Sequence, residues 1–423
     1  MHRAMLSHPW RVLDPEEADL FYVPMYPVLS MKLALAGERP CGGLNHAERM
    51  DAAVEYLSRS SPFFNRFGGA DHVLMCAWWD CRRAFGPRHR MLLRRTVIGI
   101  NERLFAWTRW RGGCGPGRTV AVPYTASSVL TTPEAIGGRA AEDRDISFFF
   151  VGTARNRPER ENLDIVKRIH EDSVILLGEH DTEWGMNATV YAEHIARSSR
   201  FCFCPRGDSE SSRRFFDAIA AGCIPIVTEA AVSVLPFSGA SLNYSEFAVV
   251  VDKDAFKTRE GVANVARDAL SRSDADLAEL RRGGRASTTS ILYGVAEGPE
   301  LSDMRPFLDP ATKFLQASFA LIGGREGRKE SMWDCPDMNL PANILAPRTV
   351  KLPSKEGQTR RWLAESETII NVERSLLFCA PLTLAHCSSG CSPNGCRGSR
   401  TGRCTTTRRC SSTERPQGWT CWT

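Results

Sequence analysis

The sequence lacks the signals of several common protein classes. No apolar run reaches the ~18–20 residues that a transmembrane helix needs, and no apolar secretory segment follows Met1. No G-x-x-x-x-G-K-[ST] segment supports a P-loop kinase or NTPase, and the absence of G-x-S-x-G removes one route to a serine hydrolase. The net charge of +5 is too mild to indicate a nucleic-acid partner. With 43% hydrophobic and 24% charged residues over 423 positions, the chain has the composition of a folded globular protein of two or three domains.

Cysteine is concentrated at the end of the chain. Seven of the 15 cysteines lie in the last 45 residues, in a stretch rich in Ser, Thr, Gly and Arg, and no C-x-x-C pair supports a metal site there. A disordered or wrongly translated tail over 326–423 is the favoured interpretation, and a secreted disulfide knot is the alternative. In the body of the chain, Cys202 and Cys204 share one face of a predicted strand, and we expect both to be buried thiols.

Strand and helix patterns alternate through the body of the chain. Predicted strands cover 72–75, 97–100, 146–151, 174–177, 201–204 and 247–251. Predicted helices cover 50–58, 160–171, 191–198, 211–221 and 261–282. This alternation predicts parallel sheets with helices on both faces.

The segment SRFCFCPRGDSESSRRFFDAIAAGCIPIV, residues 199–227, carries the strongest local signal. It predicts a strand, a polar loop with a helix-capping residue, a helix and a second strand, which is an arrangement that holds phosphate at the helix N-terminus. Arg206, Arg213 and Arg214 would oppose the helix dipole unless an anion binds beside them. The alternative is a solvated face on which neighbouring carboxylates neutralise these arginines, with Arg214 paired to Asp217.

This segment closely resembles the signature of the exostosin-like glycosyltransferases, family 47. Further similar blocks follow the family's order: DPEEADLFYVP at 14–24, GGADH at 68–72, WDCRR at 79–83, VPY at 122–124 and FFFVGTARNR at 148–157. Ala70 replaces the family's arginine in the second block, and the third is similar to plant-type members. The resemblance covers about residues 10–290. It implies an α/β fold of GT-B type, in which two Rossmann-like lobes face each other across a cleft.

The resemblance also implies a domain division. We expect an N-terminal acceptor-side lobe over 1–135, truncated at its start, and a C-terminal nucleotide-sugar donor lobe over 145–325. Family members are usually Golgi proteins with an N-terminal membrane anchor. The anchor's absence from this chain predicts either a truncated gene model or fragment, or a soluble paralogue.

The donor site implied by the resemblance lies at the start of the second lobe. The expected donor-binding residues are Gly152, Thr153, Arg157, Arg206, Gly207, Ser212, Arg214 and Asp217. Backbone N–H groups of Gly152 and Thr153 would approach the diphosphate, and the arginines would stabilise the negative charge on the leaving UDP. Asp217 would accept hydrogen bonds from the ribose hydroxyls. Each role has a structural alternative, such as a turn at Gly152 or a helix cap at Ser212.

An inverting mechanism needs a base that takes the proton of the acceptor hydroxyl. The candidates are Asp71 and Asp80, with His72 as a third choice. Their structural alternatives are a hydrogen-bonded turn for Asp71 and a salt bridge for Asp80. A D-x-D match at 252–254 is interpreted as surface charge, because the family does not rely on a metal there. No cofactor or divalent metal is expected.

The resemblance therefore predicts an inverting glycosyltransferase that moves a sugar from a UDP-sugar to a polysaccharide or glycoprotein glycan. It also allows homo- or hetero-complexes with other glycosyltransferases. The alternative is a non-catalytic exostosin-like protein that keeps the fold and serves as a partner subunit. Donor sugar, acceptor and linkage stay open, although the WDCRR block favours plant or algal cell-wall chemistry.

Overall fold

The computed structural model describes residues 2–6, 8–39, 43–102, 119–132, 136, 138–154, 157–178, 187–239, 241–293 and 309–322. The chain forms two compact units, and the larger, Met1–Glu38 with His46–Lys351, contains every element reported below. The smaller unit, Arg39–Asn45 with Leu352–Thr423, falls almost wholly outside the described residues. The tail predicted at 326–423 also lies outside them.

Four parallel strands form the first sheet. They are β1 (Phe21–Val23), β2 (His72–Met75), β3 (Val97–Ile100) and β4 (Thr119–Ala121), and they pair in that order. The two central strands are buried at every position, as expected when helices cover both faces of a parallel sheet. The strands predicted at 72–75 and 97–100 are confirmed.

Five parallel strands form the second sheet. They are β5 (Ile146–Gly152), β6 (Val174–Leu177), β7 (Ser199–Phe203), β8 (Ile224–Thr228) and β9 (Val249–Val251), in the spatial order β6-β5-β7-β8-β9. Two parallel α/β sheets in one unit confirm the predicted GT-B type fold class. The ligand sites of such sheets lie at the carboxyl ends of the strands.

Thirteen helices within the described residues connect and cover the strands. They are α1 (His2–Leu6), α2 (Pro27–Leu35), α3 (His46–Ser60), α4 (Pro62–Arg66), α5 (Pro87–Leu92), α6 (Pro158–Glu161), α7 (Asp164–Ile169), α8 (Asn187–Arg197), α9 (Arg213–Ala220), α10 (Glu229–Val234), α11 (Arg259–Ser271), α12 (Asp274–Ile291) and α13 (Pro310–Leu321). None of the described helices combines the length and apolar composition that a membrane crossing requires.

Two predicted helices are each divided in the structure. The stretch predicted at 160–171 forms α6 and α7, and the stretch predicted at 261–282 forms α11 and α12. The second break has a clear local cause, because Ser273 is in extended conformation and its side chain caps the backbone N–H of Asp276. A serine in this position starts a new helix instead of continuing the old one.

The second sheet packs its two faces into separate hydrophobic clusters. Phe201 and Phe203 belong to one cluster, whereas Cys202 and Cys204 belong to the other, which is the alternation of side chains expected along a strand. Cys204 is a buried free thiol, as predicted. The prediction for Cys202 is wrong: the chain reverses through the positive-φ residue Gly222 and brings Cys223 within 5.8 Å, Cα to Cα, so that the two cysteines form a disulfide.

The last described helix returns to the first sheet. Phe314 and Ala311 of α13 are fully buried in a cluster with Val73, Val97 and Val120. The sequence assigns this segment to the second lobe, yet its apolar face covers the first sheet. The chain therefore crosses back after completing the second sheet.

Two adjacent glycines of α12 give opposite predictions. A Cβ on Gly283 would lie 2.2 Å from the carbonyl oxygen of Glu246, whereas a Cβ on Gly284 would meet nothing closer than 3.9 Å. We expect Gly284→Ala to raise the free energy of unfolding by about 0.5–1 kcal/mol, because alanine is the better helix former. Gly283→Ala should lower it by about 1–3 kcal/mol through overpacking. Urea denaturation of both variants tests this, and equal shifts of the same sign would contradict the contact at Gly283.

Candidate active site

Three loops at the carboxyl ends of strands meet around the predicted donor residues. One follows β5 and begins directly after Gly152, one follows β7 and leads through Gly207 into α9, and one follows β3 and contains Glu102. The third loop belongs to the first sheet, but Glu102 hydrogen-bonds Ser209 and Ser211 in the second. The loop before α9 is thus held directly by a residue that follows the first sheet.

Arg214 occupies the centre of this region. Its Nε donates a 2.6 Å hydrogen bond to the carbonyl oxygen of Val151, and its guanidinium lies 5.2 Å from the centre of the Phe150 ring. Burial, with the like charge of Arg160, lowers the pKa of Arg214 to about 10. The side chain remains protonated at neutral pH. No carboxylate within the described residues lies at salt-bridge distance from it, although the charge of Asp217 acts on it from further away.

Arg160 on α6 was missed at the sequence level. Its Nε and Nη2 donate to the carbonyl oxygen of Arg206 at 3.1 and 3.0 Å, and its Nη1 donates to that of Thr153 at 2.7 Å. The side chain is buried, and burial lowers its pKa. Arg160 therefore ties together the loops after β5 and β7 and adds a second buried cation. Nothing in the local pattern PERE distinguishes this arginine from a surface residue.

Other arginines of the region have carboxylate partners. Arg157 pairs with Asp208 at 3.0 Å, Arg206 with Glu210 at 3.7 Å, and Arg213 with Asp217 at 3.1 Å. The pair between Arg214 and Asp217, which the alternative interpretation expects, is absent from the described ion pairs, and Asp217 pairs with Arg213, four residues before it on the helix. These are exposed or half-exposed pairs of small energetic value, which an incoming phosphate could displace at little cost.

The N-terminus of α9 has no anionic cap. Ser212 stands at the N-cap position, but its side chain makes no capping hydrogen bond, and its buried Oγ has no partner within the described residues. The first turn of the helix contains no acidic residue. Gly207 permits the preceding loop to close, since a Cβ there would lie 2.8 Å from the carbonyl oxygen of Ser211. This helix end thus combines backbone N–H groups that lack intrahelical partners, an unpaired hydroxyl and the partly buried cation of Arg214, an arrangement that suits an anion.

Asp217 faces the segment that joins the two sheets. One carboxylate oxygen accepts a 2.9 Å hydrogen bond from the backbone N–H of Ser127, and the other pairs with Arg213. Burial raises the pKa of Asp217, opposed by the charge of Arg213 and the bond from Ser127. Each oxygen retains capacity for a second hydrogen bond. The predicted ribose contact stays a prediction.

Glu102 is the second functional candidate that sequence reasoning missed. Its side chain is fully buried, and its Oε1 accepts hydrogen bonds from the Oγ of Ser211 at 2.6 Å, the N–H of Ser211 at 3.2 Å and the hydroxyl of Tyr124 at 3.4 Å. Its Oε2 has no hydrogen-bond partner within the described residues. The sequence signal that could have identified Glu102 is its position directly after the buried strand β3, because ligands bind at the carboxyl ends of such strands.

Asp71 and His72 are not part of this region. They lie at the amino end of β2, the opposite edge of the first sheet from Glu102. Both are fully buried, and Asp71 accepts hydrogen bonds from His72 at 2.8 Å and Arg66 at 3.3 Å. This arrangement matches the structural alternative, a hydrogen-bonded turn, and does not favour Asp71 as a base.

Asp80 lies at the carboxyl edge, in the loop after β2. It is buried and pairs with Arg83 at 2.7 Å, which corresponds to the salt bridge considered from sequence. It stays a candidate base by position. The D-x-D acids lie on an exposed turn after β9, where Asp252 accepts the N–H of Asp254 and Asp254 pairs with Lys257 at 2.6 Å.

Gly152 gives a direct test of the contact with Arg214. A Cβ at this position would lie 2.2 Å from Nη2 and 2.8 Å from Cζ of Arg214. Gly152→Ala should therefore displace the guanidinium, lower stability by about 1–3 kcal/mol and remove the thermal stabilisation by UDP that the expected donor site predicts. Gly284→Ala is the matched control that leaves UDP stabilisation intact. An unaltered UDP shift in Gly152→Ala would show that Arg214 need not hold its position for binding.

Comparison with known proteins shows which family this chain resembles. The family model for the Exostosin GT47 domain matches residues 1–265. In Arabidopsis thaliana, a probable glucuronoxylan glucuronosyltransferase is 29% identical over 66% of this chain and 60% of its own. A probable arabinosyltransferase is 27% identical over 58% and 52%, and a probable β-1,4-xylosyltransferase 28% identical over 60% and 60%. The matches thus span only 52–60% of these relatives' own lengths.

Among solved structures, a glycosyltransferase from Rickettsia africae aligns with 72% of this chain and 98% of its own, at 7% identity and a TM-score of 0.36. A likeness this slight carries no argument, and the fold assignment rests on the two parallel sheets themselves. The family match is different in kind, because it covers more than half of the 423 residues. The chain belongs to the Exostosin GT47 domain family.

Proposed function

We propose that the protein is an inverting glycosyltransferase that moves a sugar from a UDP-sugar to a polysaccharide or glycan acceptor. One observation carries the proposal: the partly buried Arg214 guanidinium lies at the uncapped N-terminus of α9 with no paired carboxylate in the described part of the chain. An uncompensated buried charge is costly, and the diphosphate of a nucleotide sugar would supply the missing anion. The activity named for the glycosyltransferase relatives supports the same conclusion.

In the proposed reaction, the bond between the sugar and the diphosphate breaks as the acceptor hydroxyl attacks. Negative charge grows on the leaving UDP, and donors held in advance at that position lower the barrier most. Arg214 would provide the charge, Arg206 would turn from Glu210 to the phosphate, and Ser212 would donate its hydroxyl. Because arginines would neutralise the diphosphate, we expect turnover to persist in excess EDTA.

We assign the general base to Glu102, with Asp80 as its competitor. The Oε1 atom of Glu102 is fixed by Ser211 and Tyr124, whereas Oε2 has no partner in the described residues and could accept a proton. A base needs both a fixed orientation and an unoccupied oxygen within reach of the acceptor hydroxyl. Asp80 is tied to Arg83, which stabilises its charged form but occupies the carboxylate.

The names of the relatives and the disulfides bear on the acceptor and the compartment. The curated relatives named above act, by their names, on glucuronoxylan or transfer arabinose or xylose, so a plant-type cell-wall polysaccharide is the acceptor class to test first. The disulfides Cys76–Cys81 and Cys202–Cys223 support an oxidising compartment, which fits the Golgi lumen expected from the resemblance.

A non-catalytic partner subunit remains the second candidate. It is favoured by the loss of the family's arginine at Ala70, which is fully buried between the elements of the first lobe. Both candidates predict UDP binding, and only the enzyme predicts turnover.

A donor screen distinguishes the two. UDP release is measured for the full-length protein with UDP-glucuronic acid, UDP-xylose, UDP-galactose and UDP-arabinose, each with xylan or xyloglucan oligosaccharides. Acceptor-dependent UDP release from one donor supports the enzyme. Thermal stabilisation by UDP without release from any donor supports the partner subunit, and the absence of both refutes the donor pocket.

A further inference from the structure

Two tryptophans at the carboxyl edge of the first sheet have no role in the donor pocket. Trp78 and Trp79 lie in the loop directly after β2, and both are only partly buried. Their ring centres are 6.0 Å apart, with the ring planes at 64°. Tryptophan contributes a large contact area when buried. A ligand that binds to two partly exposed neighbouring indoles can bury the area that they leave exposed.

The loop that carries them is held at both ends. The disulfide Cys76–Cys81 closes it, and the backbone N–H of Cys76 donates a 2.8 Å hydrogen bond to the carbonyl oxygen of Gly99 on β3. Asp80 pairs with Arg83 just beyond the tryptophans. A ligand would therefore meet aromatic rings that are already ordered, and binding would cost little conformational entropy.

The position of the loop relates it to the proposed chemistry. Strands β2 and β3 are neighbours in the first sheet, about 4.8 Å apart, and the tryptophan loop and Glu102 each follow one of them at the same edge. Glu102 in turn contacts Ser211 of the donor loop. The tryptophans thus lie on the first-sheet side of the proposed base, where the sugar chain leading to the acceptor hydroxyl must bind.

We propose that Trp78 and Trp79 form a stacking subsite for the pyranose rings of a β-1,4-linked acceptor oligosaccharide; this rests on the proposed glycosyltransferase function. Xylose and glucose units in such chains carry equatorial substituents, so their ring faces present C–H groups that suit an indole face. Because the two indoles are inclined at 64°, one can lie flat against a sugar ring while the other forms a side wall. An α-1,4-linked chain coils and fits this surface poorly.

The test is calorimetric titration of the full-length protein with xylohexaose and cellohexaose, with maltohexaose as the control sugar. We expect Trp78→Ala and Trp79→Ala each to weaken binding of the better β-1,4 hexaose about tenfold or more, with partial recovery in the Trp→Phe variants. Trp10→Ala is the matched control, because Trp10 is 45% exposed and lies outside this loop. UDP stabilisation should be the same in all of these variants.

The outcomes separate this inference from the proposed function. Wild-type affinity for the hexaoses in both alanine variants, or equal affinity of the wild type for maltohexaose, overturns the subsite. Absence of any hexaose binding by the wild type overturns it as well. Failure of UDP to stabilise the wild type overturns the proposed donor pocket instead, whatever the hexaoses do. If the alanine variants lose stability, the Trp→Phe variants provide the comparison, and their failure to bind better than alanine also contradicts stacking.

Discussion

Glu102→Gln should lower the acceptor-dependent turnover number by about 10²–10⁴-fold, the usual contribution of a general base, while UDP binding is retained. The substitution keeps an oxygen that can accept the hydrogen bonds now made by Ser209, Ser211 and Tyr124. The donor loop should therefore keep its position, and only the ability to take a proton is lost. Steady-state UDP release with the donor identified by the screen measures the effect, and thermal shift with UDP measures binding.

The matched control is Glu193→Gln. Glu193 is also a buried glutamate with one oxygen bonded to a serine, Ser127, and with an Oε2 that lacks a partner in the described residues. It lies on α8 and is bonded to Ser127 instead of the serines before α9, so turnover of the Glu193→Gln variant should stay within about threefold of wild type. Asp80→Asn tests the competitor. A turnover loss in Asp80→Asn with a normal Glu102→Gln would transfer the role of base to Asp80.

The pH profile of turnover adds an independent readout. If Glu102 is the base, the pH profiles of the wild type and of Glu102→Gln should differ in shape. A merely structural role would lower the rate at every pH by the same factor and leave the shape unchanged.

The strands and most helices could be predicted because their residues carry local patterns. Val97, Ile98 and Ile100 form a β-branched run that is buried on both faces, and such a run favours a central strand of a parallel sheet. The return of α13 to the first sheet could not be predicted in the same way. Phe314 packs against Val73 and Val97, which are more than 200 positions away, and no local pattern encodes that distance.

Some residues of the candidate site could be predicted from a local motif, and others could not. Arg206, Ser212 and Arg214 are adjacent in one motif, so their convergence follows from the motif's strand–loop–helix pattern. Arg160 contacts Arg206 across 46 positions of sequence, and Glu102 contacts Ser211 across 109. These contacts arise only when the strands are aligned. Asp71 shows the limit of a motif match, because the block that contains it resembles the family but lies at the amino end of β2, and its role as a base stays a prediction.

Arg214→Met should abolish stabilisation by UDP while leaving the unliganded protein folded. In the wild type, UDP at 100 times its Kd should add ~2.7 kcal/mol to the free energy of unfolding. Methionine keeps apolar bulk over the Phe150 ring but removes the guanidinium. Because this also removes a buried charge that is repelled by Arg160, the unliganded variant should be about as stable as the wild type. Thermal unfolding with and without UDP measures both quantities.

Arg213→Met is the control that separates a specific pocket from general positive charge. Arg213 is the preceding residue on α9, but its side chain is 55% exposed and already paired with Asp217. Its loss removes the same formal charge from the same helix turn, and it should preserve most of the UDP shift. Equal losses in both variants would mean that UDP responds only to the local field, which added salt would screen. A full UDP shift in Arg214→Met would show that UDP binds without the Arg214 guanidinium. The nucleotide-sugar assignment would then lose the observation on which it depends.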